Sequence, residues 1–368
     1  MPRSIVILSL ALTACTGPDP ALLCRGSAGP CAAVGTTSDD GASGALAIVD
    51  VGAATSTLDL TTLDADTRMH VHGGELYVLS RTSGVLRIYD PHTLAVKIEL
   101  PLGDSSHPAA TAAPRDFWVD DEHGEIWVSL AGNVAQASLA IVDRDKPGTV
   151  LYLGLPQDAA DPDGKPEPDL LYHCNSKLYV TLDSRSADVT GAVRYGRARM
   201  AIVDPDKRTV LGVIPLSGTH LADLTRVGDD CNDVVVAEAS SPNTAFDGSG
   251  AVERLDLDRA FSKGVLATDA VLGGKPTLVA THGFGELFIG LEGGRVAHFD
   301  LKNTALKTDV ASGFGAVTFL RTYGSRLLVG AGPGGAQGRG LYVGPVDGTP
   351  LTGSPIDVGA TPTSVTLP

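Results

Sequence analysis

Nine histidines and one run of carboxylates are the residues of this 368-residue sequence best suited to holding a metal ion. His70 and His72 are spaced to share one face of a strand, and His107 and His220 fall in connections where chain segments can converge. The segment Asp161-Pro162-Asp163-Gly164-Lys165-Pro166-Glu167-Pro168-Asp169 sets four carboxylates around a Gly turn, and carboxylate oxygens are the hard donors Ca2+ takes. Its spacing departs from the EF-hand loop and its prolines stiffen it, so a solvated acidic loop is the competing interpretation. Asp161, Asp163, Glu167 and His107 are the candidate metal ligands and Ca2+ the candidate ion; no organic cofactor is predicted. A second cluster is cationic. In SRSADVTGAVRYGRAR, Arg185, Arg194, Arg197 and Arg199 surround Tyr195. Planar guanidinium groups beside an aromatic ring suit an anionic or carbohydrate-like ligand, or the hot spot of a protein interface. The bland alternative is a solvated loop balanced by Asp158, Asp161 and Asp163. Arg194, Tyr195, Arg197 and Arg199, with His220 and Phe246 as neighbours, are the candidate binding residues. There is no H-E-x-x-H, C-x-x-C, P-loop or G-x-S-x-G. Gly330-Ala331-Gly332-Pro333-Gly334-Gly335 matches G-x-G-x-x-G, but no helix pattern follows it, and it reads as a loop.

The net charge of −15 disfavours nucleic acid as a partner, because phosphate binding needs a basic surface. Residues 1–14 carry one early cation, Arg3, then an apolar run from Ile5 to Leu12, too short to span a bilayer, then small residues: a secretory signal. Leu12-Thr13-Ala14-Cys15 resembles the bacterial lipobox, which implies cleavage before Cys15 and acylation of its thiol. Two or three acyl chains would anchor the protein stably. The expected location is therefore the bacterial envelope, at the outer membrane. Of five cysteines, four remain for an oxidising compartment: Cys24, Cys31, Cys174 and Cys231.

The elements that must position these residues are strands. Alternation of period two recurs along the chain, as in Val96, Ile98 and Leu100 against Lys97 and Glu99. An aromatic or branched pair recurs at Tyr77-Val78, Trp127-Val128, Tyr179-Val180, Val235-Val236, Phe288-Ile289 and Leu328-Val329. A following strand ends in Asp50, Asp90, Asp143, Asp204, Asp256 or Asp300, whose carboxylate can hold the next turn. The repeat length is that of propeller blades. Leu76-Tyr77-Val78 with Ile88-Tyr89-Asp90, Leu178-Tyr179-Val180 with Ile202-Val203-Asp204, and the Gly273-Gly274-Lys275-Pro276 and Gly359-Ala360-Thr361-Pro362 junctions resemble YVTN-type β-propeller repeats. The resemblance implies an all-β, seven-bladed β-propeller of four-stranded blades over residues 31–368, with residues 15–30 as a lipidated tether. Blade 7 departs from the pattern: its third strand, Leu341-Tyr342-Val343, runs into Gly344.

Blade 1 lacks a first strand and residues 361–367 form a strand without a successor, so the C-terminal strand is expected to complete blade 1 and close the ring. Cys174 and Cys231 precede the second strands of blades 4 and 5 by nearly the same offset, in CNSKLYV and CNDVVV, and are expected to pair; Cys24 and Cys31 would form a local loop. In such a blade the loops between second and third strands, and the connections to the next blade, share one face. The intervals Val180–Asp204 and Val236–Asp256 far exceed Val78–Asp90, and residues 156–168 lengthen the same face. Loops longer than a scaffold requires tend to carry function. The expected function is binding or scaffolding over blades 3 to 5 of an anchored envelope propeller, with an envelope protein or an anionic or carbohydrate ligand as partner. The alternative is an enzyme with its site in the channel mouth, because propellers similar to these repeats include lactonases and metal-dependent oxidoreductases.

Overall fold

The computed structural model describes residues 31–103, 113–132, 138–157, 165–187, 193–240 and 249–367, with 185–187 and 193–195 as backbone. The expected signal and tether, including Cys15 and Cys24, lie outside those residues, as do His107, Asp161, Asp163 and Phe246. Seven antiparallel sheets form a closed β-propeller. The second strand of each blade explains the recurring aromatic pair. Leu76–Ser80, Ile126–Leu130, Leu178–Leu182, Leu287–Leu291 and Leu327–Ala331 are buried throughout, because a strand sandwiched between two neighbouring blades has no solvent face. Outer strands face solvent on one side and alternate, as Thr209–Pro215 does. Seven apolar clusters fill the seven joints between neighbouring blades, so the core is a ring and not a central mass.

The ring closes through both termini. Thr361–Thr366 pairs antiparallel with Cys31–Thr37, from Thr37↔Thr361 to Ala33↔Thr366, and occupies the innermost position of blade 1. Blade 7 has three strands, Val317–Tyr323, Arg326–Ala331 and Gly340–Pro345; its fourth position is filled by a segment bridged at Leu341↔Ile356. The aspartates do the work expected of them: one carboxylate oxygen of Asp50, Asp90, Asp143 and Asp300 accepts from the backbone N–H groups two and three residues on, at 2.8–3.1 Å. Asp204 and Asp256 accept the later of these from Lys207 and Arg259. In blade 7 the capping role passes to Asp347, which accepts from Thr349 N at 2.9 Å.

On the opposite face from the long loops, neighbouring blades are joined by polar contacts. Arg144 of blade 3 reaches Glu75 of blade 2, and Arg208 of blade 4 reaches Glu125 of blade 3. Between blades 4 and 5 the joint is covalent: Cys174 and Cys231 form a disulfide with Cα atoms 5.6 Å apart, and Tyr172 Oη donates to Cys231 O at 2.9 Å. With a sequence separation of 57, the bond contributes roughly 4 kcal/mol on a chain-entropy account. Cys31 is also disulfide-bonded. No described helix is long and apolar enough to cross a membrane.

Candidate functional site

The innermost strands line the channel, and their upper ends are irregular. In blade 3, Pro114↔Leu130 and Phe117↔Val128 leave Arg115 and Asp116 opposite Ser129 alone; in blade 4, Pro168↔Leu182 and Leu171↔Val180 leave Asp169 and Leu170 opposite Thr181. These are β-bulges, which bend a strand and re-aim its side chains. A hydroxyl on the facing strand repairs each ladder: Ser129 Oγ accepts from Asp116 N at 3.0 Å, and Thr181 Oγ1 from Leu170 N at 2.8 Å. One-residue register shifts recur at Leu221/Asp223, Pro276/Leu278 and Val317/Phe319.

Two of the residues so placed are structural. Asp116 is buried, and one oxygen takes Arg68 Nε at 3.1 Å and His70 Nε2 at 3.3 Å; the other takes Leu171 N of the next blade at 3.0 Å. Burial alone would raise its pKa, but Arg68, His70 and the Leu171 N–H together hold it far below the usual carboxylate range. Asp223 repeats the device two blades on, accepting Val279 N and Arg321 Nη1, each at 3.1 Å. A cavity of about 220 Å³ between Arg68, His70 and Arg321 is thus lined by arginines that already have partners.

The cavity above it is different. It measures about 270 Å³ and lies at the channel mouth, on the long-loop face, between Arg81, Arg115, Glu167, Asp169, Asp183 and His220. Arg81 and Asp183 each follow the last residue of a second strand, in blades 2 and 4; Arg115 and Asp169 hold the same bulge position in blades 3 and 4. Asp183 Oδ2 lies 2.6 Å from His220 Nδ1, and Oδ1 accepts Leu221 N at 3.2 Å, which orients the imidazole. Arg81 Nη1 lies 3.3 Å from the exposed Asp66, while its buried Nε has no hydrogen-bond partner. Among the described residues no side chain hydrogen-bonds or ion-pairs with Arg115 or with the Asp169 carboxylate. Burial and then Asp183 raise the pKa of Asp169, against the pull of Arg81, Arg115 and Arg68. Glu167 has positive φ, 41°, in a conformation uncommon for a residue with a Cβ, and its side chain is buried.

Of the residues singled out from sequence, His220 lies in the cavity wall and Glu167 at its edge; His220 opens an inner strand instead of standing in a connection. Arg194 and Tyr195 lie on a short strand, Val193–Tyr195, paired with Arg185–Ala187 in a hairpin between the second and third strands of blade 4. Arg197 follows, exposed, and Arg199 begins the third strand, half-buried. His70 and His72 share a face as expected, both reaching blade 3, with His72 Nε2 2.6 Å from Asp121 Oδ2. Among the described residues no three His, Cys, Asp or Glu side chains converge as metal ligands would. Sequence reasoning missed Arg81, Arg115, Asp169 and Asp183 as a set. The available signal was positional: aligned blades put all four at one of two equivalent sites.

No family model and no curated protein matches this sequence. Solved structures match the fold at low identity. The chain superposes on dihydro-heme d1 dehydrogenase NirN, solved in complex with DHE, with a TM-score of 0.56 and 13% identity, over 87% of this chain and 62% of that one. It therefore spans less than two thirds of that protein. The Cps50 (Swd1) propeller domain of Myceliophteria thermophila matches with a TM-score of 0.58 and 12% identity, over 83% and 95% of the two chains. Hydrazine synthase of Kuenenia stuttgartiensis matches with 0.55 and 16%, over 85% and 95%. At such identities the likeness establishes one thing, that this chain has the fold of a β-propeller.

Proposed function

We propose that the protein is a lipid-anchored envelope propeller that binds a small, polar, charged ligand at the channel mouth, with the blade 4 hairpin as part of the rim. The carrying observation is the cavity of about 270 Å³ whose wall holds a guanidinium and a carboxylate unengaged among the described residues, and an unpartnered guanidinium N–H. Polar groups left without partners in a partly buried cavity cost stability unless something else satisfies them. A rigid scaffold that carries such a site through bulges is preorganised for binding. Arg197, exposed beside the hairpin, adds positive charge that would steer an anionic group toward the opening. The anchor rests on Leu12-Thr13-Ala14-Cys15, and Cys15→Ser should carry no acyl label.

The test is native mass spectrometry and thermal-shift screening of the full chain with polar metabolites. Wild type is expected to retain and be stabilised by a small molecule, and Arg115→Ala to lose about tenfold or more in affinity, the effect of one charge-assisted contact. Among the described residues Arg115 has no hydrogen-bond or ion-pair partner to lose, so the variant's unliganded melting temperature should stay near that of wild type. If Arg115→Ala binds every ligand as wild type does, the site is not the channel mouth.

A further inference from the structure

The charges around the mouth are sorted. Its cationic wall comes from blades 2 and 3, as Arg81 and Arg115; its anionic wall comes from blade 4, as Asp169 and Asp183, with Glu167, already engaged, at its edge. Arg115 and Asp169 occupy equivalent bulge positions in adjacent blades and carry opposite charge, yet no ion pair forms between them. The gap between the two walls is the cavity itself.

That arrangement discriminates among ligands. A simple anion drawn to the arginines would sit against two carboxylates, and a simple cation drawn to the carboxylates would sit against two guanidinium groups. A neutral sugar would leave charge on both walls unpaired. A molecule with an anionic and a cationic end matches both at once. The volume, about 270 Å³, holds about nine waters at their liquid volume, room for a compact metabolite.

Resting on the channel-mouth reading, we infer that the ligand is a small zwitterion of the α-amino-acid class, its carboxylate held across Arg81 and Arg115 and its ammonium by Asp169 and Asp183. Guanidinium groups present planar forks that suit a carboxylate. Among the described residues no side chain pairs with the Asp169 carboxylate, which leaves it available to an ammonium. Asp183, oriented by His220 and Leu221 N, offers fixed acceptor oxygens beside it. His220 positions this carboxylate and takes no direct part.

The experiment is calorimetry on the full chain in detergent with three matched probe sets: free α-amino acids, their N-acetyl derivatives, which keep only the negative charge, and their amides, which keep only the positive one. A set of neutral monosaccharides completes the panel. At least one free amino acid is expected to bind, with its N-acetyl and amide forms weaker by about tenfold or more. Asp169→Asn, close in shape, should weaken the free amino acid by a similar factor while leaving or improving affinity for the N-acetyl form; Arg115→Ala should weaken both. If N-acetyl acids or sugars bind as well as free amino acids do, the zwitterion inference is overturned and the channel-mouth reading stands. If no probe binds, or binding survives Arg115→Ala unchanged, both are overturned.

Discussion

Deletion of Thr361–Pro368 is expected to make the protein aggregate, with a large fall in melting temperature in whatever remains in solution. The deleted strand is the innermost of blade 1, and its removal leaves the buried Cys31–Thr37 strand as an unpaired edge. Exposed edges of this kind recruit other chains. The strand also fastens blade 1 to both neighbours. Thr366 Oγ1 accepts Val71 N of blade 2 at 2.9 Å, and Val365 and Leu367 pack into the cluster that includes Phe319 and Leu328 of blade 7. Each apolar side chain lost from such a joint removes on the order of 2 kcal/mol, and the ladder and the Val71 partner go with them. Light scattering and thermal unfolding of the truncated chain would check this. A synthetic peptide spanning residues 361–368 should restore solubility by refilling the inner position. A truncated chain that stays in solution and melts as wild type does would contradict the closure mechanism.

A second large effect is expected from pH. Glu238 is fully buried near the upper end of blade 5, where its Oε2 accepts Gly218 N at 2.9 Å and its Oε1 has no hydrogen-bond partner. Glu253, also fully buried, holds Ser217 N and Ser217 Oγ at 2.8 and 3.0 Å and Ser262 Oγ. Burial first, and then the neighbouring Glu253, push the Glu238 carboxyl up from 4.5 to about 9, against the smaller opposing effect of the Gly218 N–H. In the folded protein this group keeps its proton where the unfolded chain has lost it. Its contribution to stability is therefore present in full below about pH 4.5 and is lost as pH rises toward 9. The loss runs at on the order of 1 kcal/mol per pH unit across that window. Glu238→Gln keeps an acceptor for Gly218 and cannot ionise. Urea midpoints at pH 5, 7 and 9 should show the variant close to wild type at the lowest pH and more stable by several kcal/mol at the highest. Parallel curves for the two proteins would show that Glu238 ionises freely in the fold. Tyr172, half-buried, and Tyr179, buried, do not interfere, since burial pushes both up to about 12, above this window.

Much of the scaffold was legible in the sequence because its causes are local and repeat. A strand covered on both sides must be apolar throughout, so Leu76-Tyr77-Val78 and its counterparts marked the second strands. An aspartate that caps a turn needs only the N–H groups two and three residues later, so Asp90 and Asp300 were readable in place. The Cys174–Cys231 bond followed from similar positions in adjacent repeats, five residues before Tyr179 and four before Val235. Glu238 left a weaker trace: alternation puts it on the face of Val234 and Val236, where a carboxylate is out of place. Its pairing with Glu253 could not be inferred, because that depends on how the third strand and the blade 4 connection crowd the same space.

The channel mouth belongs wholly to the tertiary structure. Arg81, Arg115, Asp169 and Asp183 come from three blades, each unremarkable in its own segment, and only ring closure brings them around one cavity. Attention fell instead on Arg194, Tyr195, Arg197 and Arg199, since a dense local cluster is visible along the chain and a dispersed one is not. The bulges widened that gap. Period-two alternation predicts opposite faces for Arg115 and Asp116, whereas the bulge gives one to the cavity wall and the other to Arg68 of the neighbouring blade. Strands, turns and the count of blades each depend on residues a few positions apart and so follow from the order of the amino acids. The curvature of the ring decided which charges meet, because that depends on contacts between residues one or more blades apart, which no local pattern encodes.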